Sequence, residues 1–372
     1  MEDVLSSVRR ADWLLIAPVF LIMVVGLITN IPVDAVAVNS LIVKQTVFVL
    51  IAMAIILAGT AVDYAILRGP LVPLLLYSAS AAVLVSLLLF APEINGAKSW
   101  FPIGPIAVQP VDFAKLVLIL TLARFFVIRH THLRHVIISL ILTGTLFLLV
   151  FAQPDLGSSV ILIAIWIGII FVSGVSRRHI MWLAVAATFV ALVGWQFIPE
   201  YQKDRVLAFI EPLENLESAG YTTNQAKIAI GSGMLFGKGI GEGTQANMGF
   251  LPLYESDFVF AAFAEEWGFF GVMLLLLSYG IIGWRLLVHA RQGRTSFEAL
   301  TIVGIFALIF SHMAVHVGVN TGTLPVTGIT LPFMSYGGSH LIAEAIAIAL
   351  VLSMARRQLP GTSAELSRRR IA

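Results

Sequence analysis

Residues 13–30 read WLLIAPVFLIMVVGLITN, an apolar run long enough to form a helix that crosses a lipid bilayer. Arg9 and Arg10 precede this run, an arrangement that imitates a secretory signal peptide. However, the run leads into no small-residue cleavage site. We therefore interpret it as an uncleaved first membrane span.

Apolar runs of similar length recur along the chain. Of the 372 residues, 59% are hydrophobic and 12% are charged, and the mean hydropathy is +0.95. A water-soluble domain needs more polar surface than this to cover its core. The sequence predicts an all-α polytopic membrane protein, one integral membrane domain over residues 1–372. We predict ten spans, near 13–30, 41–62, 71–91, 110–128, 136–153, 157–175, 180–198, 257–288, 298–319 and 339–355.

Basic residues are unevenly distributed between the predicted loops. If the N-terminus is cytoplasmic, the cytoplasmic segments carry 16 of the 23 Lys and Arg residues, all of them arginines. Because basic loops stay on the cytoplasmic side, this distribution predicts that both termini are cytoplasmic. Acidic residues concentrate on the other side, where we predict a large extracytoplasmic loop over about 199–256, between the seventh and eighth spans.

Two common kinds of site are excluded. Cysteine is absent, so the chain has no disulfides, thiolate metal ligands or cysteine nucleophiles. The glycine-rich run 231–243 resembles a phosphate-binding loop, but three residues separate Gly233 from Gly237, where a Walker loop needs four, and glycine follows Lys238. We interpret this run as a flexible re-entrant or surface loop, after a short amphipathic helix at 221–230 that lies on the membrane.

Ionisable residues lie at the start of several predicted spans. A charge at the bilayer centre costs about 2.5–3.5 kcal/mol or more, so those retained there usually face a wet cavity. Asp112 and Lys115 are three residues apart, so they share a helix face and are able to pair, for function or for structure. Asp155 and Asp257 precede predicted helices, where each would serve as an N-cap. The apolar surroundings of Asp257 also suit a general base.

Two further pairs lie inside predicted spans. Glu265 and Glu266 point about 100° apart on a helix, so both cannot face lipid cheaply. His312 and His316 share one helix face at a metal-compatible spacing, but no third ligand is near in sequence, and packed or hydrogen-bonded histidines are the favoured interpretation. The apolar, Gly- and Pro-rich segment 316–339 follows. Irregular backbone at membrane depth is tolerated only inside protein or along a cavity, so this segment is predicted to build a site.

These residues resemble the SEDS family (shape, elongation, division and sporulation), and the likeness covers nearly the whole chain. The signature stretches are 322–328, GTLPVTG, and 331–339, LPFMSYGGS. Similar motifs stand in order at Asn95-Gly96-Ala97 with Trp100, Gln109-Pro110 with Lys115, Gln153-Pro154-Asp155-Leu156-Gly157, Arg205-Val206-Leu207-Ala208-Phe209, Gly220-Tyr221 and Gln225. Gly243-Thr244-Gln245 is most similar to the RodA branch. The chain departs from the family pattern at Ser99, Leu253 and His316, and Lys98 stands beside the position where the family has an arginine.

The resemblance implies a peptidoglycan glycosyltransferase that joins lipid II units by a β-1,4 bond for cell-wall elongation and cell shape, with undecaprenyl diphosphate as the leaving group. Asp257 is the expected catalytic base for the acceptor 4-hydroxyl. The residues expected to bind substrate or line its cavity are Lys98, Trp100, Gln109, Asp112, Lys115, Asp155, Arg205, Gln225, Ser335, Tyr336, Gly337 and Gly338.

The resemblance also implies an extracytoplasmic active site in the bacterial inner membrane, a class B penicillin-binding protein as partner, and no nucleic acid. It leaves open a divalent ion, Mg²⁺ or Mn²⁺, near Asp155 or Asp257. Two other interpretations remain. A transporter of lipid II or of a small solute would need polar lining through the full membrane thickness. A non-catalytic scaffold would show no activity of its own.

Overall fold

The computed structural model describes residues 11–31, 38–93, 98–104, 106–128, 133–176, 178, 179, 181, 196, 203 and 219–358. Helices dominate these residues. They are α1 Trp13–Thr29, α2 Val38–Gly59, α3 Leu71–Phe90, α4 Pro110–Ile128, α5 Leu133–Phe151, α6 Leu156–Val172, α7 Ala219–Ser232, α8 Thr244–Asn247, α9 Val259–Gln292, α10 Ser296–Asn320 and α11 Gly338–Gln358. A 3-10 helix, Tyr64–Arg68, joins α2 to α3.

The helices α1 to α6 and α9 to α11 lie where nine of the predicted spans lie. Among the described residues, six segments are long and apolar enough to cross a membrane: Leu41–Gly59, Leu71–Phe90, Leu133–Phe151, Val259–Gln292, Ser296–Asn320 and Gly338–Arg356. The helices α1 and α6 are apolar but shorter, and α4 carries three ionisable residues. The predicted span 180–198 falls outside the described residues except for Met181 and Gln196, and the predicted loop 199–256 is described at Lys203 and from 219 onward.

A β-hairpin corrects the all-α prediction. The strands β1 Phe101–Ile103 and β2 Ile106–Val108 pair antiparallel, with Phe101 opposite Val108. The chain turns through Gly104, whose φ of +60° is open to glycine without a steric penalty. The run contains two prolines, which cannot donate to a strand ladder. The hairpin leads directly into α4 and so places Gln109 at its start.

The bundle has two ends that carry different side chains. At one end α4, α6, α9 and α11 begin and α10 terminates; we call this the loop end, because the hairpin, α7 and the segment 321–337 all lie there. At the opposite end α1 and α10 begin and α9 terminates. The candidate site residues 109, 112, 155, 257 and 335–338 all belong to the loop end.

Small residues allow the helices to approach closely. A Cβ added at Gly59 would lie 2.4 Å from the Cβ of Ala349, so α2 and α11 nearly touch. A Cβ at Gly304 would lie 2.6 Å from Ile119, which draws α10 onto α4. Close packing of this kind holds helices together in lipid, where hydrophobic burial contributes little to association.

The helix α9 is broken at Gly268. This residue has φ 66° and ψ −165°, a region reached almost exclusively by glycine. The freed backbone groups pair with the glycine-rich run instead: Lys238 N donates to Glu265 O and Phe269 N donates to Met234 O. The predicted span 257–288 is therefore a short segment, Val259 to Trp267, followed by a longer helix.

The helix α7 confirms that residues 221–230 are helical. Its buried face contacts protein, whereas the sequence predicted a helix lying on the membrane. Ala226 and Ala229 are fully buried and belong to a small apolar cluster with Phe258, Ala261 and Val319. The small-residue face of α7 therefore packs on the start of α9 and the end of α10, within the protein.

Candidate functional site

Asp257 lies on a tight turn immediately before α9. The carbonyl of Leu253 accepts hydrogen bonds from the backbone N–H groups of Ser256, Asp257 and Phe258. Leu253 has φ +54°, a left-handed conformation that is costly for a branched side chain. The N-cap of α9 is Phe258, without a side-chain capping bond. The N-cap position of α9 is therefore one residue later than the predicted Asp257.

The segment 321–337 closes over this turn, as expected for irregular backbone that builds a site. Ser335 Oγ donates to Ser256 O at 2.7 Å, and Tyr336 N donates to Glu255 O at 2.7 Å. A Cβ added at Gly328 would lie 3.7 Å from Asp257 Oδ2, so the backbone of this glycine faces the carboxylate. Burial, followed by the negative charge of Glu255, raises the pKa of Tyr336 above its ordinary value.

A buried ion pair lies below this segment. Lys115 Nζ is 3.2 Å from Asp112 Oδ1 and 3.3 Å from His312 Nε2. Asp112 is 4% exposed and Lys115 is 2% exposed, so the ammonium is enclosed between a carboxylate and an imidazole. The pairing predicted from the three-residue spacing is present. In this arrangement Lys115 faces protein groups, and a direct contact with a ligand would require the pair to separate.

His340 and Glu344, which were not among the predicted site residues, complete this network. His340 Nδ1 is 3.4 Å from Asp112 Oδ1, and its ring stacks on His312 with centroids 4.9 Å apart. His340 Nε2 is 2.9 Å from Glu344 Oε1. The other oxygen of Glu344 accepts a bond from Phe333 N. His340 and Glu344 are four residues apart and so share a helix face, which was the sequence pattern that could have indicated this pair.

His312 and His316 both bind the irregular segment by hydrogen bonds, which agrees with the interpretation preferred over a metal pair. His312 Nδ1 is 3.4 Å from Thr330 O, and His316 Nδ1 is 2.7 Å from Ile329 O. Both histidines are 1% exposed. The end of α10 therefore fixes the backbone of residues 329–330.

Gln109 and Asp155 join three helices at the loop end. Asp155 is the N-cap of α6, where its Oδ1 accepts from Ser158 N at 2.9 Å. Its Oδ2 accepts from Gln109 Nε2 at 3.0 Å. Gln109 N in turn donates to Ser339 Oγ, on α11, at 3.2 Å. Both carboxylate oxygens of Asp155 are thus engaged by protein donors.

Five other predicted site residues are described, all at the loop end. Lys98 and Trp100 are partly buried just before the hairpin, and the intervening Ser99 donates to Gln153 O. Gln225 is partly buried on α7. Gly337 precedes α11, and a Cβ at Gly338 would overlap the Phe48 ring. Arg205 lies outside the described residues.

The proposed divalent ion finds no ready site here. Within the described part of the chain, no group of three or more His, Asp or Glu side chains is arranged to hold a metal ion. Asp155 already uses both oxygens as a hydrogen-bond acceptor. The side chains present at Asp155 do not fit a metal centre.

The glycine-rich run is held in place by Glu265, which revises its interpretation as a flexible loop. The carboxylate accepts bonds from Lys238 Nζ, Thr244 N and Gln245 N. Neighbouring Glu266 accepts from Gly241 N. The two adjacent acids that could not both face lipid therefore both face the loop.

Comparison with known proteins identifies the family of this chain. Residues 9–359 match the family model of FtsW, RodA and SpoVE, described as cell cycle protein. The peptidoglycan glycosyltransferase MrdB of Escherichia coli strain K12 is 36% identical over 282 residues, which are 75% of this chain and 76% of the relative.

Two solved structures superpose on nearly the whole chain. One, on structural coordination of polymerization and crosslinking by a peptidoglycan synthase complex, gives a TM-score of 0.80 at 30% identity and covers 94% of this chain and 99% of that one. The other is the Thermus thermophilus rod shape determining protein RodA, with a TM-score of 0.70 at 30% identity, covering 94% and 97% of the two chains.

Proposed function

Because the chain belongs to the FtsW, RodA and SpoVE family, we propose that it is a peptidoglycan glycosyltransferase of a bacterial inner membrane that polymerises lipid II. The Escherichia coli relative carries this activity in its name. The fold agrees with such a substrate, since a lipid-linked sugar needs apolar helices for its tail and a polar site at one membrane face for its sugars.

The observation that carries the proposal is that one short stretch, residues 328–330, faces both the Asp257 carboxylate and the histidine that contacts Lys115. Gly328 faces the carboxylate of Asp257, and Thr330 O contacts His312, the partner of Lys115. Residues 328 and 330 are at most about 7 Å apart. One irregular segment therefore brings a carboxylate and an enclosed ammonium to the same part of the loop end, although the two residues are far apart in sequence.

Sugar transfer from a diphosphate needs a base for the acceptor and charge stabilisation for the leaving group. Asp257 takes the proton of the acceptor 4-hydroxyl as that oxygen forms the new bond to the anomeric carbon of the donor. The bond from this carbon to the diphosphate breaks, undecaprenyl diphosphate leaves, and the configuration inverts. Asp112 and His312 hold Lys115 as a fixed positive charge close to this site.

The remaining site residues have supporting roles. Gln109 and Asp155 fix the starts of α4 and α6, and Ser335 and Tyr336 fix the cover over the Asp257 turn. Lys98, Trp100, Arg205, Gln225, Gly337 and Gly338 contact the sugars and phosphates. A divalent ion near Asp257, Mg²⁺ or Mn²⁺, would stabilise the charge of the leaving diphosphate.

The chain crosses the membrane ten times, with both termini cytoplasmic and the loop end extracytoplasmic. The concentration of arginine in the alternate loops supports this orientation. Its role is in elongation, as the RodA-like Gly243-Thr244-Gln245 stretch and the superposition on RodA suggest. A class B penicillin-binding protein is the partner; support comes from the similar synthase complex that coordinates polymerization with crosslinking.

The arrangement of buried charges disfavours transport. The buried Asp, Glu, Lys and His side chains of the described residues form two sets. The loop-end set is Asp112, Lys115, Glu265, Glu266, His312, His316, His340 and Glu344, and the opposite set is His289 and Glu298. On α10, Glu298 and His312 are about 21 Å apart by helix rise. A transport path would need polar lining across that interval.

The test is polymerisation of labelled lipid II by the purified chain with its penicillin-binding partner, whose transpeptidase is inactivated. Wild type should form glycan polymer, and Asp257→Asn should lower the rate by at least ~10²-fold, because it removes the base with little change in shape. Asp63→Asn is the matched control. Asp63 is an exposed N-cap at the opposite end of the bundle, and its replacement should leave the rate unchanged.

Two results would contradict the proposal. Normal polymerisation by Asp257→Asn would remove Asp257 as the base. Absence of polymer from the wild type, with lipid II crossing proteoliposome membranes under the same conditions, would favour the transporter.

A further inference from the structure

Asn320, the last residue of α10, holds the backbone on both sides of the Asp257 turn. Its Nδ2 donates to Asp257 O at 3.0 Å, and its Oδ1 accepts from Ala261 N at 3.0 Å. The same Nδ2 donates to His316 O at 2.9 Å, within α10. The side chain is fully buried, at 0% exposure. Each amide hydrogen and the amide oxygen of Asn320 thus has a partner.

These contacts supply a helix cap from a different part of the chain. The first N–H groups of a helix have no partner inside the helix, and an N-cap side chain normally accepts from the second or third of them. Phe258, the N-cap of α9, has no side chain able to do so. Ala261 is the third residue of α9, and Asn320 accepts its N–H instead. The cap therefore comes from 59 positions away.

The same helix end also fixes what faces the Asp257 carboxylate. His316, whose carbonyl Asn320 binds, hydrogen-bonds Ile329 O through Nδ1. Ile329 adjoins Gly328, whose backbone faces Asp257 Oδ2. The end of α10 thus holds the backbone of Asp257 through Asn320 and the backbone opposite its carboxylate through His316.

From this geometry we propose that Asn320 is the positioning residue of the glycosyl transfer, setting the place of the Asp257 carboxylate relative to the acceptor hydroxyl. This inference rests on the proposed function, in which Asp257 is the base. Asn320 itself contacts protein groups, so it acts through Asp257. Misplacing a reacting group by about 1 Å lowers a rate by about 10²-fold, whereas binding by the other site residues is retained.

Two variants separate the roles of the amide. Asn320→Leu keeps the approximate volume and removes all three hydrogen bonds. Asn320→Asp keeps an acceptor for Ala261 N and replaces the donor to Asp257 O by an oxygen that repels that carbonyl. We expect both to lower kcat by ~10-fold to ~10²-fold with KM for lipid II within about 3-fold of wild type. Tyr77→Phe is the control; it removes a partly buried hydrogen bond to Leu142 O, between α3 and α5 and away from the site.

The readouts are kcat, KM, the pH profile of kcat, and the thermal midpoint in the same detergent. A kcat loss in both variants with KM retained, and a kcat for Tyr77→Phe equal to wild type, would support the inference. If Asn320→Leu has a reduced midpoint, Asn320→Asp decides, because it retains the cap. Wild-type kcat in a folded Asn320→Asp would overturn the inference, as would KM rising while kcat is unchanged. Failure of the proposed function is distinguished because wild type itself would then make no polymer.

Discussion

Lys238 donates to Glu265 across 2.6 Å and so ties the glycine-rich run to the first segment of α9. Glu265 is fully buried, whereas Lys238 remains 29% exposed. The same carboxylate oxygen accepts from Thr244 N and Thr244 Oγ1. A single buried carboxylate thus organises the loop that fills the break in α9, at the end of the bundle that carries Asp257.

Removing the lysine charge should loosen this loop. We expect Lys238→Met to destabilise the folded protein by about 1–3 kcal/mol, because the buried Glu265 carboxylate loses its cation while its backbone donors remain. Thermal unfolding and protease cleavage within 231–243 measure the effect. Glu242→Asn or Glu242→Gln changes an exposed acid of the same loop and should stay within about 0.5 kcal/mol; an equal effect would contradict the prediction.

Gly268 should not tolerate a side chain. An added Cβ would lie 2.2 Å from Gly237 N, at φ +66°. We expect Gly268→Ala to cost about 1–3 kcal/mol from backbone strain, with a further penalty from the overlap. The yield of folded protein and its thermal midpoint report the loss. Gly280→Ala, in the same helix with nothing within 4 Å, is the matched control and should be neutral or stabilising.

The buried pair in α4 should show strong coupling. Asp112→Asn or Lys115→Met should each cost about 3–5 kcal/mol, because each leaves an uncompensated charge in the interior. The double variant should cost clearly less than the sum of the single variants. A double-mutant cycle of thermal unfolding measures the coupling. Additive losses would mean that the network with His312 and His340 compensates each charge separately.

The opposite end of the bundle should respond to acid. Arg285 Nε and His289 Nε2 each lie 2.7 Å from Asp12 Oδ2. Burial raises the pKa of Asp12, but the hydrogen bonds and positive charges of His289 and Arg285 together outweigh it, and the pKa is lowered below 3.8. The ionised carboxylate therefore stabilises the fold above pH 3.8, and this contribution is lost as the pH falls through the lower folded value.

Asp12→Asn should consequently lower the thermal midpoint at neutral pH, and the difference from wild type should shrink below pH 3.8. The midpoint measured from pH 7 down to pH 3 checks this. Asp63→Asn, at an exposed aspartate, is the control and should give a small difference from wild type at neutral pH. A gap between Asp12→Asn and wild type that stays constant at low pH would contradict the prediction.

The local parts of the site could be predicted from sequence because they depend on helix geometry. The three-residue spacing of Asp112 and Lys115 places both on one helix face wherever that helix packs. The apolar Gly- and Pro-rich segment after α10 must be enclosed by protein, because lipid cannot satisfy its backbone. His340 and Glu344 show the same local spacing, but their importance depends on Asp112, which lies more than two hundred positions earlier in the chain.

Local sequence patterns were enough to predict the class of protein, the place of most spans and the family, since apolar length and ordered motifs are local properties of the chain. The folded structure was needed to show that the side chain capping α9 is Asn320, that Gly268 breaks α9 around the glycine-rich run, and that residues 101–108 form a hairpin. Each of these depends on backbone hydrogen bonds between segments distant in sequence or on a single φ angle. Buried backbone groups must find partners wherever packing brings them, and no local pattern specifies which partner that will be.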